Sequence, residues 1–178
     1  MNKDLYLGVM SGTSLDGIDI ALIEVVERHV HYHYGNFYPY DEQLRKLVHS
    51  VCQDNNVTLL QLGELQVKLS REYSLAINQF IEKHGINPNS ITAIGCHGQT
   101  VFHSPQGQFP FSMQLVDPSI LAAKTGITSV ADFRAMDLAL GGQGAPLIPA
   151  FHQAIIPNKT PSEPLALLNI GGMANLTI

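Results

Sequence analysis

The sequence predicts an α/β protein built on a mixed sheet, with three antiparallel strands first and then helices alternating with strands that run parallel. Three observations carry that expectation. Residues 5–38 fall into three β-patterned runs separated by short breaks. Two segments with helical periodicity follow, and beyond them short apolar runs alternate with helix start and stop signals. Hydrophobic residues fill 45% of the 178 positions, which is ample for a buried core.

The first run, Leu5 to Val9, feeds a loop of small and hydroxylated residues, Ser11-Gly12-Thr13-Ser14-Leu15-Asp16-Gly17. Ile18 to Val26 forms the second strand, and His29 to Tyr38 alternates as a third. In the next segment Leu44, Leu47, Val48 and Val51 recur at i, i+3, i+4, i+7, one apolar helical stripe. A second helix opens on a capping box, Thr58 with Gln61. It carries Leu62, Leu65, Leu69, Tyr73, Ala76 and Phe80 on one face and stops at Gly85.

Ile91 to Cys96 reads as a short buried strand ending in His97-Gly98-Gln99-Thr100, and Pro105-Gln106-Gly107 marks a hairpin. Asp117 as N-cap and Pro118 at the first helical position start a third helix, which Gly126 ends. Ile127 to Ala131 is another strand, emptying into Asp132-Phe133-Arg134. The glycine-dense stretch Gly141-Gly142-Gln143-Gly144-Ala145-Pro146 precedes a helix at Leu147 to Ala154. Residues 157–164 (PNKTPSEP) form the linker, which divides the chain into a first domain at 1–156 and a second unit at 165–178. That unit is a hairpin, Leu165 to Ile170 and Ala174 to Ile178 around Gly171-Gly172. A chain that stops inside an apolar strand is expected to be cut short, because a lone hairpin cannot bury itself.

The formal charge of −5, with 14% charged residues and no basic block, argues against nucleic acid as a partner. Met1-Asn2-Lys3-Asp4 leads straight into a strand without a signal-peptide core, and no apolar run approaches the ~18 residues of a membrane span. Cys52 and Cys96 lack CxxC spacing, so a reduced, cytoplasmic setting without a membrane partner is the expectation.

The loop from Ser11 to Gly17 is suited to wrapping a phosphate. Glycines admit close approach, and main-chain N–H groups with Ser/Thr hydroxyls donate to phosphate oxygens. It enters a strand and has no Lys after Gly, so it is neither a P-loop nor a dinucleotide fingerprint. A plain hairpin turn is the competing reading. A second strand–glycine–strand unit at Leu165 to Ile178 favours the phosphate reading. His29, His31 and His33 share one strand face, but without a fourth ligand they read as a solvated edge rather than a metal site.

Three antiparallel strands with a glycine turn in the first hairpin, and a second such hairpin after a linker, resemble the actin/hexokinase (ribonuclease-H-like) ATPase fold. Four blocks extend the resemblance: MSGTSLDGIDIAL (Met10 to Leu22), CHGQT (Cys96 to Thr100), DFRAMDLALGGQGAPL (Asp132 to Leu147) and NIGGMANLT (Asn169 to Thr177). Together they are similar to the bacterial anhydro-N-acetylmuramic acid kinases. The resemblance implies an enzyme that uses ATP and Mg²⁺ to open 1,6-anhydro-N-acetylmuramic acid, a cell-wall recycling fragment. It would phosphorylate the 6-oxygen and give N-acetylmuramic acid 6-phosphate. It also implies a small sugar as substrate, a homodimer as the full-length protein, and a second domain with an adenine pocket that is only begun here. The fragment alone is then expected to be inactive.

On this resemblance Gly12, Thr13, Ser14, Leu15, Asp16, Gly17, Ile18 and Asp19 would hold the nucleotide phosphates, with Gly171, Gly172 and Asn175 as the facing loop. Met10 stands where many sugar kinases of this architecture place a metal-shell Asp, so that role passes to Asp16 or Asp19, with Asp16 the assigned ligand. Asp132, at the end of a buried strand, is the assigned base and Asp137 the second choice; pairing with Arg134 or capping a turn is the structural alternative for Asp132. Arg134 would clamp a carboxylate or phosphate, or serve as an ordinary ion pair. His97, Gln99 and Thr100 would bond sugar hydroxyls, against a satisfied core histidine for His97. Gly142 lines the sugar site or only makes a tight turn. Two alternatives stand beside the muramate kinase: another actin-like sugar kinase or ATPase, and a non-catalytic sugar- or phosphate-binding fragment. The DFRAMDLALGGQGAPL block speaks against the first, since a generic ATPase has no reason to carry it, and calorimetry with ATP and with the anhydro sugar, separately, decides the second.

Overall fold

The computed structural model describes residues 4–27, 29–54, 56–155, 165–170 and 174–178. The three opening strands are β1 (Asp4–Ser11), β2 (Gly17–Val26) and β3 (His29–Pro39), paired antiparallel in sequence order. Helices α1 (Glu42–Gln53) and α2 (Leu59–Lys83) follow, and both start on side-chain caps. Asp41 accepts from the Leu44 amide at 2.7 Å. Thr58 and Gln61 close the expected capping box, the Gln61 side chain accepting from the Thr58 amide at 2.8 Å.

β4 (Ile91–Ser104) then enters the sheet parallel to β1, β5 (Phe111–Leu115) returns antiparallel to it, α3 (Pro118–Thr125) crosses over, and β6 (Ser129–Val130) pairs parallel to β4. The sheet order is β3-β2-β1-β4-β5, with β6 also on β4. One core fills the space between sheet and helices. Leu7, Val9, Ile20 and Ile94 from the strands meet Leu44, Val48, Leu65, Tyr73 and Phe80 from α1 and α2. The remaining elements are α4 (Ala135–Ala139), α5 (Ile148–Ile155), and the hairpin β7 (Leu167–Ile170) and β8 (Ala174–Thr177). His152 of α5 ties that hairpin through a 2.9 Å hydrogen bond to the Thr177 hydroxyl. Among the described residues no helix is long and apolar enough to cross a membrane.

Three sequence expectations change. The strand expected to end at Cys96 runs on to Ser104, because its second half gains a new partner: Gln99 to Ser104 pair with Leu115 to Phe111. The strand expected over Ile127 to Ala131 shrinks to Ser129–Val130, which pair with Ile94 and Gly95. The stretch after Arg134 forms α4, five residues too short to show a period. The 157–164 linker and the Gly171-Gly172 turn lie outside the described residues. The histidine row of β3 is solvent-facing, with His33 3.6 Å from Glu24, and the described residues hold no cluster of three metal-ligating side chains. Both cysteines are free thiols, and burial pushes Cys96 up to about 12.

One irregularity in the sheet positions everything that follows. Val9 pairs with Cys96 but Ser11 pairs with Gln99, so β4 carries one extra residue at His97-Gly98. Gly98 takes φ +75°, and a Cβ there would crowd Val116 and the Leu115 carbonyl. At this bulge β4 exchanges β6 for β5 as its outer neighbour. A crevice opens where a strand changes partners, beside the C-terminal end of β1.

Candidate functional site

The loop joining β1 to β2 is fixed from below and polar above. Leu15 is buried with φ +56°, and its amide donates to the Gly12 carbonyl at 3.2 Å. Ile18 is buried too, so two apolar side chains nail the loop to the core. The Gln99 amide nitrogen donates to the Gly12 carbonyl at 3.3 Å, and the Tyr40 amide donates to the Asp16 carbonyl at 3.0 Å. Beneath, Ser11, Tyr73 and Tyr40 form a buried hydroxyl chain of 2.8 and 3.3 Å, and burial raises both phenols above their ordinary range. Thr13, Ser14 and Asp16 remain exposed, with the Ser14 hydroxyl donating to the Asp16 carboxylate at 2.6 Å. Gln99 is fully buried and its carbonyl oxygen has no partner among the described residues.

Two cavities flank this loop. The first, about 660 Å³, is lined by Thr13 and Ser14 together with Arg45, Lys46 and His49 of α1 and His103 of β4. Glu42 neutralises Lys46 at 2.7 Å, while Arg45 and His49 have no side-chain partner among the described residues. The cavity is therefore cationic in a chain that is acidic overall. The second, about 1010 Å³, is largely apolar, with Met10, Phe133 and Phe151 beside the polar Asp19, His97 and Arg134. Asn169 and Asn175, paired across the β7–β8 hairpin, line it as well.

His97 and Arg134 lock each other. The His97 Nδ1 donates to the Gly98 carbonyl at 2.8 Å, which leaves Nε2 as an acceptor for the Arg134 Nε at 3.1 Å and Nη2 at 2.8 Å. The imidazole is thus neutral, and burial, with the guanidinium's charge adding to it, holds its pKa below the ordinary 6.5. Arg134 Nη1 also donates to the Gly144 carbonyl, while the Gly144 amide donates to the Asp137 carboxylate at 2.7 Å. The Gly142 amide donates to the Asp137 carbonyl at 2.8 Å, so Asp137 and Arg134 hold the glycine loop from both sides. One pH consequence follows. The unfolded chain protonates at His97 before the folded one does, so the stability this network adds is complete above about pH 6.5 and declines as pH falls toward the depressed folded value. Melts from about pH 8 to about pH 5.5 should show an acid-side loss that His97→Gln reduces; identical slopes would contradict the assignment.

A family model described as "Anhydro-N-acetylmuramic acid kinase" matches residues 4–178. Proteins of that name match over nearly all of this chain. That of Haemophilus influenzae is 51% identical over 100% of this chain and 46% of its own length, and that of Pasteurella multocida 49% over 97% and 45%. That of Photobacterium profundum is 48% identical over 100% of this chain and 47% of its own length. This chain belongs to the anhydro-N-acetylmuramic acid kinase family. It spans about half the length of the curated relatives it matches. Its mixed sheet with flanking helices is consistent with the actin/hexokinase-like ATPase fold of that family.

Within this kinase-family chain the sequence-assigned residues fall into three groups. Thr13, Ser14 and Asp16 crown the first loop, while Gly17 and Ile18 lie buried under it. His97, Arg134, Asp19 and Asn175 converge on the apolar cavity, whereas Thr100 lines the cationic one and accepts from Gln114 at 3.3 Å. Asp132 is exposed in a left-handed conformation, φ +60°, and its carboxylate has no partner among the described residues. It therefore does not pair with Arg134, whose guanidinium contacts His97 and the Gly144 carbonyl instead. Gly171 and Gly172 lie outside the described residues. Asp19 has its carboxyl pushed upward by burial and then by the charge of Asp16. Asp16 and Asp19, near enough for the charge of one to act on the other, offer the ligand type of a hard divalent ion, which usually takes one or two carboxylates plus phosphate oxygens. Sequence reasoning missed Arg45, His49 and Asn169. The two on α1 read as an ordinary polar helix face until the fold turns that face toward the loop.

Proposed function

We propose that the full-length protein carrying this chain is an ATP-dependent kinase that hydrolytically opens 1,6-anhydro-N-acetylmuramic acid and phosphorylates its 6-oxygen. The observation that carries the reading is the loop's position between a cationic cavity and an apolar one whose polar groups are His97, Arg134 and Asp19. Phosphoryl transfer needs mainly positioning and charge neutralisation, and those two cavities divide the task. The triphosphate lies against Thr13 and Ser14, with Arg45 adding charge and His49 a ring nitrogen from α1. Asp16 and Asp19 would hold Mg²⁺, which when bound offsets phosphate charge. Gly171, Gly172 and Asn175 would supply the second phosphate loop, with Asn175 meeting the γ-phosphate from the side of the apolar cavity that it lines.

The sugar sits in the apolar cavity. Arg134 still has one N–H on each terminal nitrogen for its lactyl carboxylate, and the His97 acceptor contact sets the plane of the guanidinium. Asp132 takes a proton from water as that water bonds to the anomeric carbon. The bond from that carbon to the 6-oxygen breaks, the 6-oxygen bonds the γ-phosphorus, and ADP leaves. Support for Asp132 comes from its unpaired carboxylate and left-handed backbone, next to the cavity residues Phe133 and Arg134. Asp19, which lines the cavity itself, is the rival. Asp137 is a positioning residue through its hold on Gly144. We further assign the full-length protein to the cytoplasm and to a homodimer, as the family resemblance implies.

Calorimetry on the full-length protein separates the two cavities. Arg45→Gln should weaken ATP binding severalfold and leave the anhydro sugar unchanged, and Arg134→Gln should do the reverse. Loss of both ligands in either variant, or of neither, would contradict the division.

A further inference from the structure

Gln99 is polar, fully buried and lines neither cavity, so it does not reach the sugar hydroxyls assigned to it by resemblance. Its position follows from the bulge in β4. Val9 pairs with Cys96 and both lie in the core, so in a regular strand the next inward position would be Gly98. The extra residue shifts the alternation by one. Gln99 therefore pairs with Ser11 and turns its side chain inward, beneath the loop between β1 and β2. There its amide nitrogen donates to the Gly12 and Thr100 carbonyls, each at 3.3 Å. Its oxygen meets no donor among the described residues.

A position that needed only filling would hold an apolar side chain, because a buried amide oxygen without a donor destabilises the fold. Nor do the two carbonyls depend on Gln99 for a partner. That of Gly12 also accepts from the Leu15 amide at 3.2 Å, and that of Thr100 from the Cys52 thiol at 3.8 Å. What the Gln99 amide fixes is a direction. The Gly12–Thr13 peptide is trans, so its carbonyl and its N–H point opposite ways. With the carbonyl held down onto Gln99, the Thr13 N–H points up, to the side where Thr13 and Ser14 are exposed. The Thr13 and Ser14 amides donate to no group among the described residues, which leaves them for an anion. Gly12 has no Cβ to resist rotation of this peptide, and a rotated peptide would offer a phosphate its carbonyl oxygen instead.

We propose that Gln99 is a positioning residue for the nucleotide phosphates: it holds the Gly12 peptide in the orientation that turns the Thr13 N–H toward them, and it touches neither ligand. The inference rests on the phosphate-loop reading given above.

Calorimetry and thermal melting of the full-length protein test it. Gln99→Met keeps the length of the side chain and removes the tether together with the unpartnered oxygen. It should melt at or above the wild type, raise the ATP dissociation constant about tenfold or more, and leave affinity for the anhydro sugar unchanged. Gln99→Glu adds a pH signature. As a carboxylate the side chain has no donor for Gly12; once protonated it has an O–H that replaces the lost N–H, and burial favours the protonated form. Its ATP affinity relative to the wild type should therefore recover as pH falls from about 8 to about 6, which no mere filler of the core would show. ATP affinity unchanged in both Gln99 variants, while Ser14→Ala weakens it, overturns the role of Gln99 and leaves the phosphate loop standing. A wild type that binds no ATP, or Ser14→Ala and Gln99→Met proteins that both bind it as the wild type does, overturns the phosphate-loop reading itself. A Gln99→Met protein that melts well below the wild type and loses both ligands makes Gln99 a core residue only, and overturns the proposal.

Discussion

Asp132→Asn in the full-length protein is expected to abolish turnover and leave ATP binding intact. The backbone at this position sits at φ +60°, which Asn tolerates as well as Asp, so the substitution leaves the fold and the Arg134 network in place. What it would remove is the proton acceptor proposed above. A positioned base contributes about 10² to 10⁴ in rate, so kcat should fall by that factor with little change in the KM for ATP. Asp19→Asn is the control that distinguishes the rival: it lines the cavity and stands beside Asp16, so it should raise the Mg²⁺ and ATP requirement before it touches kcat. Unchanged turnover in Asp132→Asn removes Asp132 from the chemistry, and a proton-transfer defect in Asp19→Asn instead would move the role there.

The second large effect is on folding. Gly17 opens β2 opposite Pro39, and a methyl group there would collide with the Tyr38 carbonyl and stand 2.7 Å from the Phe37 ring. Backbone cannot give way as a side-chain tip can, so Gly17→Ala must separate β2 from β3 at the point where the loop closes. Overpacking of this kind costs about 1–3 kcal/mol or somewhat more, and at this chain length each kcal/mol lowers Tm by about 2–4 °C. Thermal melting of the variant should therefore fall by several degrees, with weaker nucleotide binding because Asp16 and Ser14 lose their support. A variant that melts with the wild type would show that the strand ends part at no cost.

The same glycine shows what could be read from the chain alone. The strand–loop–strand unit, the two long helices and their caps were all legible, because each is specified by local periodicity and by capping chemistry within a few residues. The family blocks also put His97 and Arg134 together as sugar-binding candidates, and the structure brings the two side chains into contact at the apolar cavity. The reason for Gly17 was not: it serves the close approach of β3, and that neighbour is set by pairing across the sheet. The extension of β4 past Cys96 was hidden for a similar cause, since it depends on β5 supplying a partner after the bulge at His97-Gly98. Asp137 illustrates the remaining gap. Its carboxylate holds the Gly144 amide through a seven-residue loop that has no sequence signature, so a structural acid looked like a spare base.

The most direct test of the account is sugar-dependent ADP release by the full-length protein, with the product followed by mass spectrometry and phosphorus NMR. The account predicts that ADP forms only when 1,6-anhydro-N-acetylmuramic acid is present, one equivalent per sugar. The product should have gained one water and one phosphoryl group, the latter on the 6-oxygen. ADP release that ignores the sugar, or a phosphorylated product that retains the anhydro bridge, would contradict it.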